Sequence, residues 1–399
     1  MKILIFEGSL NPPTFIRNLI QGLLDAGNHV VLLGKQGGKG YNPGNKEDLF
    51  QVIVTNYLNA NLLIHCFSFL YFSIRHPATF WSVKKVLAPA GYLKLYLKKW
   101  VLYCKIWLAQ PDIIHFQWAT HIEHYEDLIC SGKFKVIVSL RGRQLNITPL
   151  ANPKIANLYR RVFPIVHGFH AVSHAIATEA ARYGAAKERV QVIYSIVPEG
   201  FYNAFEADKN PVRNPLSIIS VGRFDWQKGY DYGIHALKIL RSRGIDARYV
   251  IVAGDEWPEN LNYIIQDCRM NNHVVLEKSV SHTEVVKLIK SHSVLLLPSL
   301  VEGIANVVLE AMAAGVPVVS TAAGGMNEVI KDNQTGWLVP IADANAMADA
   351  LEKYAQVSVE ELQVIRRNAF DQVWNSNRKE SQVNKFIAFY TRVLKEEAA

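Results

Sequence analysis

Short apolar, β-rich runs recur along almost the whole chain, and a segment of helical periodicity follows most of them. In the first half they are Lys2–Phe6, His29–Leu33, Asp112–Phe116, Lys135–Ser139, Gly168–Val172 and Val190–Tyr194. In the second half they are Leu216–Val221, Arg248–Ala253, His273–Leu276, Val294–Leu297, Pro317–Ser320 and Trp337–Val339. Runs that are apolar on both faces need cover on both faces, which a parallel sheet between helices provides. The pattern predicts an α/β protein with two such sheets, and 399 residues suffice for two or three domains. A chain that is 50% hydrophobic and 20% charged is not a disordered chain or a coiled coil.

The polar, proline-bearing stretch NAFEADKNPVRNP, residues 203–215, reads as the linker, with a boundary near Asn210. This gives domains over 1–210 and 211–375. Beyond Val359 the pattern is helical, with Trp374, Phe386, Phe389 and Tyr390 as apolar contacts, and the segment 376–399 is expected to cross back onto the first domain. Cys66, Cys104, Cys130 and Cys268 form no CxxC pair, which suits a reducing compartment and gives no thiolate zinc site. The start MKILIF runs directly into a strand without the features of an export signal, so a cytoplasmic location is expected.

Charge is unevenly placed. Residues 1–210 carry 23 Lys and Arg against 13 Asp and Glu, whereas residues 211–399 carry 20 against 22. Between Leu49 and Pro111 there is no acid, while Arg75, Lys84, Lys85, Lys94, Lys98, Lys99 and Lys105 all fall there. An anionic partner is expected for this region. Phe80, Trp81, Tyr92, Tyr96, Trp100, Tyr103 and Trp107 interleave with the cations, as in helices that lie in an anionic membrane surface. The same spacing also suits a helix core with lysines on its wet side. The uncharged stretch Leu49–Ile74 is interrupted by Gln51, Asn56, Asn59 and His65 and is a poor spanning segment.

Two segments carry the chemistry. Ser299–Met312, SLVEGIANVVLEAM, leaves an apolar strand and enters a helix, so Gly303, Ile304, Ala305 and Asn306 are expected at a helix N-terminus that attracts an anion. Glu302 and Glu310 lie eight residues apart there, two acceptors for the hydroxyls of one ligand. Either acid also has a plain reading, as a cap or a surface charge. The second segment, VGRFDWQKG, places Gly222, Arg223 and Lys228 where a parallel sheet binds ligands, and a guanidinium and an ammonium together can grip a diphosphate.

GRFDWQKG followed by PSLVEGIANVVLEAMAAGVPVVSTAAGGMNEVIKDNQTGWLVP resembles the donor-binding domain of the family-4 retaining glycosyltransferases with the GT-B fold, over about residues 216–345. The resemblance implies two Rossmann-like, doubly wound domains facing a cleft, with a nucleotide-sugar donor on the second. By position, Arg223 and Lys228 then bind the diphosphate, Glu302 the donor sugar and Glu310 the ribose. Amides from Gly303 to Asn306 touch sugar and phosphate. Leu276–Val280 falls in the base-binding stretch and makes Val280 a donor contact.

The first domain departs further from the pattern. Glu7-Gly8-Ser9 stands where the family has a glycine pair next to the donor phosphate, so the pair is absent and Gly8 is expected as a cleft or acceptor residue. PDIIHFQW places His115 near the cleft, with Gln117 where a second histidine is common. In SLRGRQLN, Arg141 replaces a histidine that touches the donor sugar.

No Asp-x-Asp occurs in the chain, and His121 and His124 have no further ligand at metal-site spacing. No metal or other cofactor is expected, and cations must neutralise the leaving diphosphate. The expected function is a retaining transfer of a sugar to a saccharide acceptor, lipid-linked or a surface-polysaccharide precursor. The expected location is cytoplasmic, on the inner face of the plasma membrane where peripheral contact occurs. A sugar-nucleotide epimerase of the same architecture and a basic polymer-binding protein are the alternatives. No nucleic-acid recognition motif is present, and no GxGxxG follows either first strand.

Overall fold

The computed structural model describes residues 1–37, 40–55, 62–87, 93–209, 211–254 and 257–396. The chain forms two compact units. The first holds Met1–Val172, Ile176–Ile193 and the C-terminal segment from Lys379; the second holds Ser173–Ala175 and Tyr194–Arg378. Asn210, the expected boundary, lies outside the described residues, and the chain passes between units at Ile193/Tyr194. The polar linker stretch is held in the second unit by the aromatics at its start: Phe201 and Tyr202 are buried beside Val308 and Met312, and Phe205 stacks on Phe370 at 4.4 Å.

In the first unit, β1 (Lys2–Ser9), β2 (His29–Lys35), β3 (Phe50–Val54), β4 (Ile113–Phe116), β5 (Lys135–Leu140), β6 (Gly168–Ala171) and β7 (Val190–Val192) form one parallel sheet ordered β3-β2-β1-β4-β5-β6-β7. The chain winds from β1 outward to β3, then returns to the other side of β1 as β4. That reversal opens a crevice beyond the carboxyl ends of β1 and β4, where such sheets bind ligands. The edge strand β3 is absent from the sequence reading, which treats Leu49–Ile74 as one uncharged stretch. Its half-exposed FQVIV run pairs with β2 from Val30↔Phe50 to Gly34↔Val54.

Helix α1 (Thr14–Asp25) covers one face of this sheet. The C-terminal helix Lys379–Lys395 packs with it, burying Phe386, Phe389, Tyr390 and Val393 in one cluster with Ile16, Leu19 and Ile20. Gly22 makes the approach possible, because a Cβ there would lie 2.2 Å from Val383 Cγ2. Lys379 adds an ion pair to Asp25 at 2.6 Å.

Helices α2 (Leu62–Arg75), α3 (Pro77–Val86) and α4 (Leu93–Ala109) carry the basic aromatic segment. Most of its rings are core. Trp100 and Tyr103 are fully buried, Phe80 lies 4.8 Å from Trp100, and Trp107 packs edge-on against Phe134 at 4.8 Å. These rings do not reach a membrane surface; Trp81 on α3 stands exposed. Tyr92 lies outside the described residues. No described helix is long and apolar enough to cross a membrane.

The second unit repeats the design. Strands β8 (Leu216–Gly222), β9 (Ala247–Ala253), β10 (Val274–Glu277), β11 (Val294–Leu297), β12 (Val318–Thr321) and β13 (Trp337–Val339) form a parallel sheet ordered β10-β9-β8-β11-β12-β13. Its reversal lies between β8 and β11.

Candidate functional site

Both chemistry-bearing segments of the sequence emerge at the β8/β11 reversal of the second unit. After Gly222 the chain runs through Arg223 into a short turn, Trp226–Lys228, before the helix Tyr230–Ser242. Asp225 caps that turn, its Oδ1 accepting from the Gln227 backbone N–H at 3.2 Å and from its amide at 3.0 Å. Gly229 follows in the left-handed region at φ 57°, and a Cβ there would lie 2.3 Å from the Pro298 carbonyl. The two loops therefore touch, and the Leu300 N–H donates to the Gln227 carbonyl at 2.7 Å.

This contact brings Lys228 to Glu302. The ammonium donates to Glu302 Oε1 at 2.6 Å, and the buried Ser299 hydroxyl donates to the same oxygen at 2.8 Å. Ser299 is fixed in turn by Thr321, whose hydroxyl donates to its carbonyl at 2.5 Å. Behind Glu302 lies the glycine pair after β12. Gly324, at φ 58°, would place a Cβ 1.9 Å from the Glu302 carbonyl, and the Gly325 N–H donates to the Gly303 carbonyl at 2.8 Å. Only glycine lets the β12 loop lie this close to the Glu302 backbone. Arg223 is exposed and has no ion pair among the described residues.

Gly303 and Ile304 remain in the loop, Ala305 is the cap, and the helix runs Asn306–Ala313. The expected helix start at Gly303 is thus corrected to Asn306, with Ala305 before it in extended backbone. Glu310 lies inside this helix, and burial pushes its carboxyl up to about 7. A carboxyl desolvated to this degree changes charge near neutral pH. Val280 lies in the loop after β10 and is exposed.

The sequence reading does not single out Tyr230. This residue opens the helix after Gly229, its side chain is buried, and its hydroxyl has no hydrogen-bond partner among the described residues. The hydroxyl lies 2.6 Å from where a Cβ on Gly222 would stand and feels the charges of Glu302 and Arg223. A buried hydroxyl left without a partner carries a free-energy cost that a hydrogen-bond acceptor reaching it would relieve. Only the Tyr immediately after the Lys-Gly pair signals it in the sequence.

In the first unit, the expected residues separate. His115 is fully buried, with Nδ1 2.8 Å from the Tyr390 hydroxyl and Nε2 2.9 Å from Ser139 Oγ. Both ring nitrogens are engaged inside the unit, so the expectation of a cleft histidine gives way to a core one tying β4 and β5 to the C-terminal helix. Gly8 sits at the end of β1 at φ 94°, and a Cβ there would lie 3.0 Å from His121. Arg141 follows β5, donating from Nε to the Gln117 carbonyl and from a terminal nitrogen to Gln117 Oε1, each at 3.2 Å. Its guanidinium lies 4.3 Å from the Phe15 ring centroid and 5.3 Å from that of Trp118. Glu7, also at the β1/β4 reversal, accepts from the Ser9 N–H at 2.5 Å and from Trp118 Nε1 at 3.3 Å; burial raises its carboxyl above the ordinary range.

Comparison with known proteins agrees with this division. The family model for Glycosyltransferase Family 4 matches residues 13–199, and that for Glycosyl transferases group 1 matches residues 203–372. The putative colanic acid biosynthesis glycosyltransferase WcaL of Escherichia coli is 34% identical over 186 residues, 45% of this chain and 46% of that protein. The amylovoran biosynthesis glycosyltransferase AmsK of Erwinia amylovora is 26% identical over 65% of each chain. The matched region thus spans from about half to about two thirds of these relatives' length. Among solved structures, a glycosyltransferase from Rickettsia africae superposes with a TM-score of 0.71 at 16% identity, covering 99% of both chains. Anabaena HepE in complex with UDP and glucose gives 0.67 at 15% identity, covering 98% of this chain and 100% of that one. The fold is that of the GT-B enzymes, and with one family model on each half the chain belongs to the family-4, group-1 glycosyltransferases.

Proposed function

We propose that the protein transfers a sugar from a nucleotide-sugar donor to a saccharide acceptor with retention of anomeric configuration and without a metal ion. The observation that carries this reading is the Lys228–Glu302 pair at the β8/β11 reversal, in the same loop as exposed Arg223, which has no ion pair among the described residues. Arg223 and Lys228 hold the diphosphate, Glu302 takes donor-sugar hydroxyls, and Glu310 takes the ribose. Amides from Gly303 to Asn306 face sugar and phosphate at the helix start.

As the donor C1–O bond loosens to an oxocarbenium-like centre, the β-phosphate takes the acceptor proton and the new bond forms on the same face, without a protein nucleophile. The two cations stabilise the charge that develops on the leaving diphosphate. The colanic acid and amylovoran names of the relatives support an acceptor in surface-polysaccharide assembly, and a lipid-linked acceptor places the protein at the inner face of the plasma membrane.

A panel of nucleotide sugars tests the reading. One donor is expected to bind and to be hydrolysed slowly without acceptor, and Arg223→Ala should abolish both. If none binds or turns over, the reading fails. Reversible epimerisation of the donor would instead establish the epimerase alternative.

A further inference from the structure

Helix α2 leaves a large apolar face bare. Leu63, Ile64, Phe67, Leu70, Tyr71 and Ile74 are all exposed, with Phe67 at 71% and Ile74 at 73%. At ~100° per residue these six positions fall in one stripe about 120° wide. The opposite face is buried: His65 and Phe72 are inaccessible or nearly so, Phe69 lies 4.6 Å from Trp100, and Phe72 meets Trp100 edge-on at 5.9 Å. A helix seated on one side with a continuous stripe of large apolar side chains on the other marks an interaction surface.

We propose that this stripe is a membrane-docking surface that enters the headgroup layer of an anionic bilayer, with α2 lying in the membrane plane. Charge selects that occupant. The stripe contains no ionised side chain, and its helix ends in exposed Arg75. Neighbouring α3 presents exposed Lys84 and Lys85, with the Lys84 ammonium 4.7 Å from the ring centroid of exposed Trp81. Apolar residues flanked by cations and an exposed tryptophan, with no acid from Leu49 to Pro111, match an anionic interface.

The geometry also sets the mode. With 14 residues at ~1.5 Å each, α2 is about 21 Å long and falls short of the ~30 Å hydrocarbon layer, so it lies on the membrane rather than across it. The docking residues are therefore not Trp100, Tyr103 and Trp107 of α4, which pack in the core. They belong to α2.

This inference deepens the membrane part of the proposed function, and the two can fail separately. The full chain is floated with vesicles of phosphatidylglycerol and phosphatidylcholine, or of phosphatidylcholine alone, at low and high salt. Wild type should float with the anionic vesicles and less so as salt rises. Phe67→Ser combined with Ile74→Ser should reduce partitioning by about a hundredfold or more, since two large apolar side chains are removed from the buried stripe. Lys84→Gln with Lys85→Gln should weaken flotation on anionic vesicles only.

Circular dichroism and nucleotide-sugar binding should be unchanged in both variants. Flotation of the serine variant equal to wild type overturns the proposal. So does a wild-type dimer in size-exclusion chromatography that the same substitutions split, since a second copy then covers the stripe. Flotation without any donor binding would leave the docking surface standing and remove the transferase reading.

Discussion

The Lys228 ammonium lies 2.6 Å from Glu302 Oε1, so the cation expected at the donor diphosphate and the carboxylate expected at the donor sugar neutralise each other. Both are largely withdrawn from water, at 18% and 12% side-chain exposure, and in such a setting the pair positions each partner firmly. Removing Glu302 frees Lys228 for phosphate. Glu302→Ala should therefore bind free nucleoside diphosphate at least as tightly as wild type while turnover with the intact donor falls. Lys228→Ala should weaken diphosphate binding by about ten- to a hundredfold, the ~1.5–3 kcal/mol of a charged hydrogen bond. Calorimetry with the nucleotide and initial rates with the donor separate the two effects; parallel losses in both variants would refute the division.

Glu310 sets a pH dependence. Its carboxyl titrates near 4.5 when unfolded and about 7 when folded, so between those values the native state binds the extra proton. Stability from this residue is fully present below pH 4.5 and is lost as pH rises through 7. The difference amounts to on the order of 3 kcal/mol at about 1.4 kcal/mol per unit. Glu310→Gln should accordingly raise the urea midpoint relative to wild type at pH 8 and leave it little changed at pH 4. If the carboxylate accepts from the ribose, the same variant loses nucleotide affinity most above pH 7.

Much of this architecture was legible because buried parallel strands leave dense apolar runs. Each of the twelve predicted runs overlaps a strand, whereas β3 escaped because a half-exposed edge strand carries no such density. The position of the two loops at strand ends was legible too, since Arg223, Lys228 and Glu302 follow strands β8 and β11. Their mutual arrangement was not: the Lys228–Glu302 contact depends on Gly229 and Gly324 bringing separate loops together across 74 residues of chain. His115 shows a related ambiguity. A histidine at a strand end reads the same whether its partners are ligand atoms or, as here, Tyr390 from a helix at the far end of the chain.

Tyr230 offers a test that separates binding from folding. Its hydroxyl has no partner among the described residues, so Tyr230→Phe removes an unsatisfied buried group and should leave the melting temperature equal or higher. If the hydroxyl donates to the bound donor, the Michaelis constant for the donor should rise about tenfold, equivalent to ~1.4 kcal/mol. An unchanged Michaelis constant would assign the ring to packing alone.

Metal independence is tested directly. The chain lacks Asp-x-Asp and places two cations at the β8/β11 reversal, so transfer should continue undiminished in excess chelator. Loss of activity that Mn²⁺ or Mg²⁺ restores would overturn the metal-free mechanism.

The core of the first unit has the opposite pH response to Glu310. Tyr390, His115, Ser139, His170 and the Ile193 carbonyl form a buried chain, with Ser139 Oγ 2.8 Å from His170 Nδ1 and His170 Nε2 2.9 Å from the carbonyl. Burial brings His170 down to about 3 and holds His115 well below the usual histidine range, with the Arg141 charge acting in the same direction on both. The unfolded chain takes up protons below about 6.5 that the native state refuses, so stability falls as pH drops, by up to about 1.4 kcal/mol per unit for each histidine. His170→Asn keeps a polar side chain without that titration. At pH 8 it should be less stable than wild type by about 1–2 kcal/mol, having lost well-formed buried hydrogen bonds. Toward pH 5 the gap should close or reverse, because only wild type carries the acid penalty at this position. Urea midpoints of both proteins at the two pH values decide it, since Glu310 is common to both and cancels in the difference; a gap of equal size at pH 5 and pH 8 would show that His170 does not titrate between the folded and unfolded states.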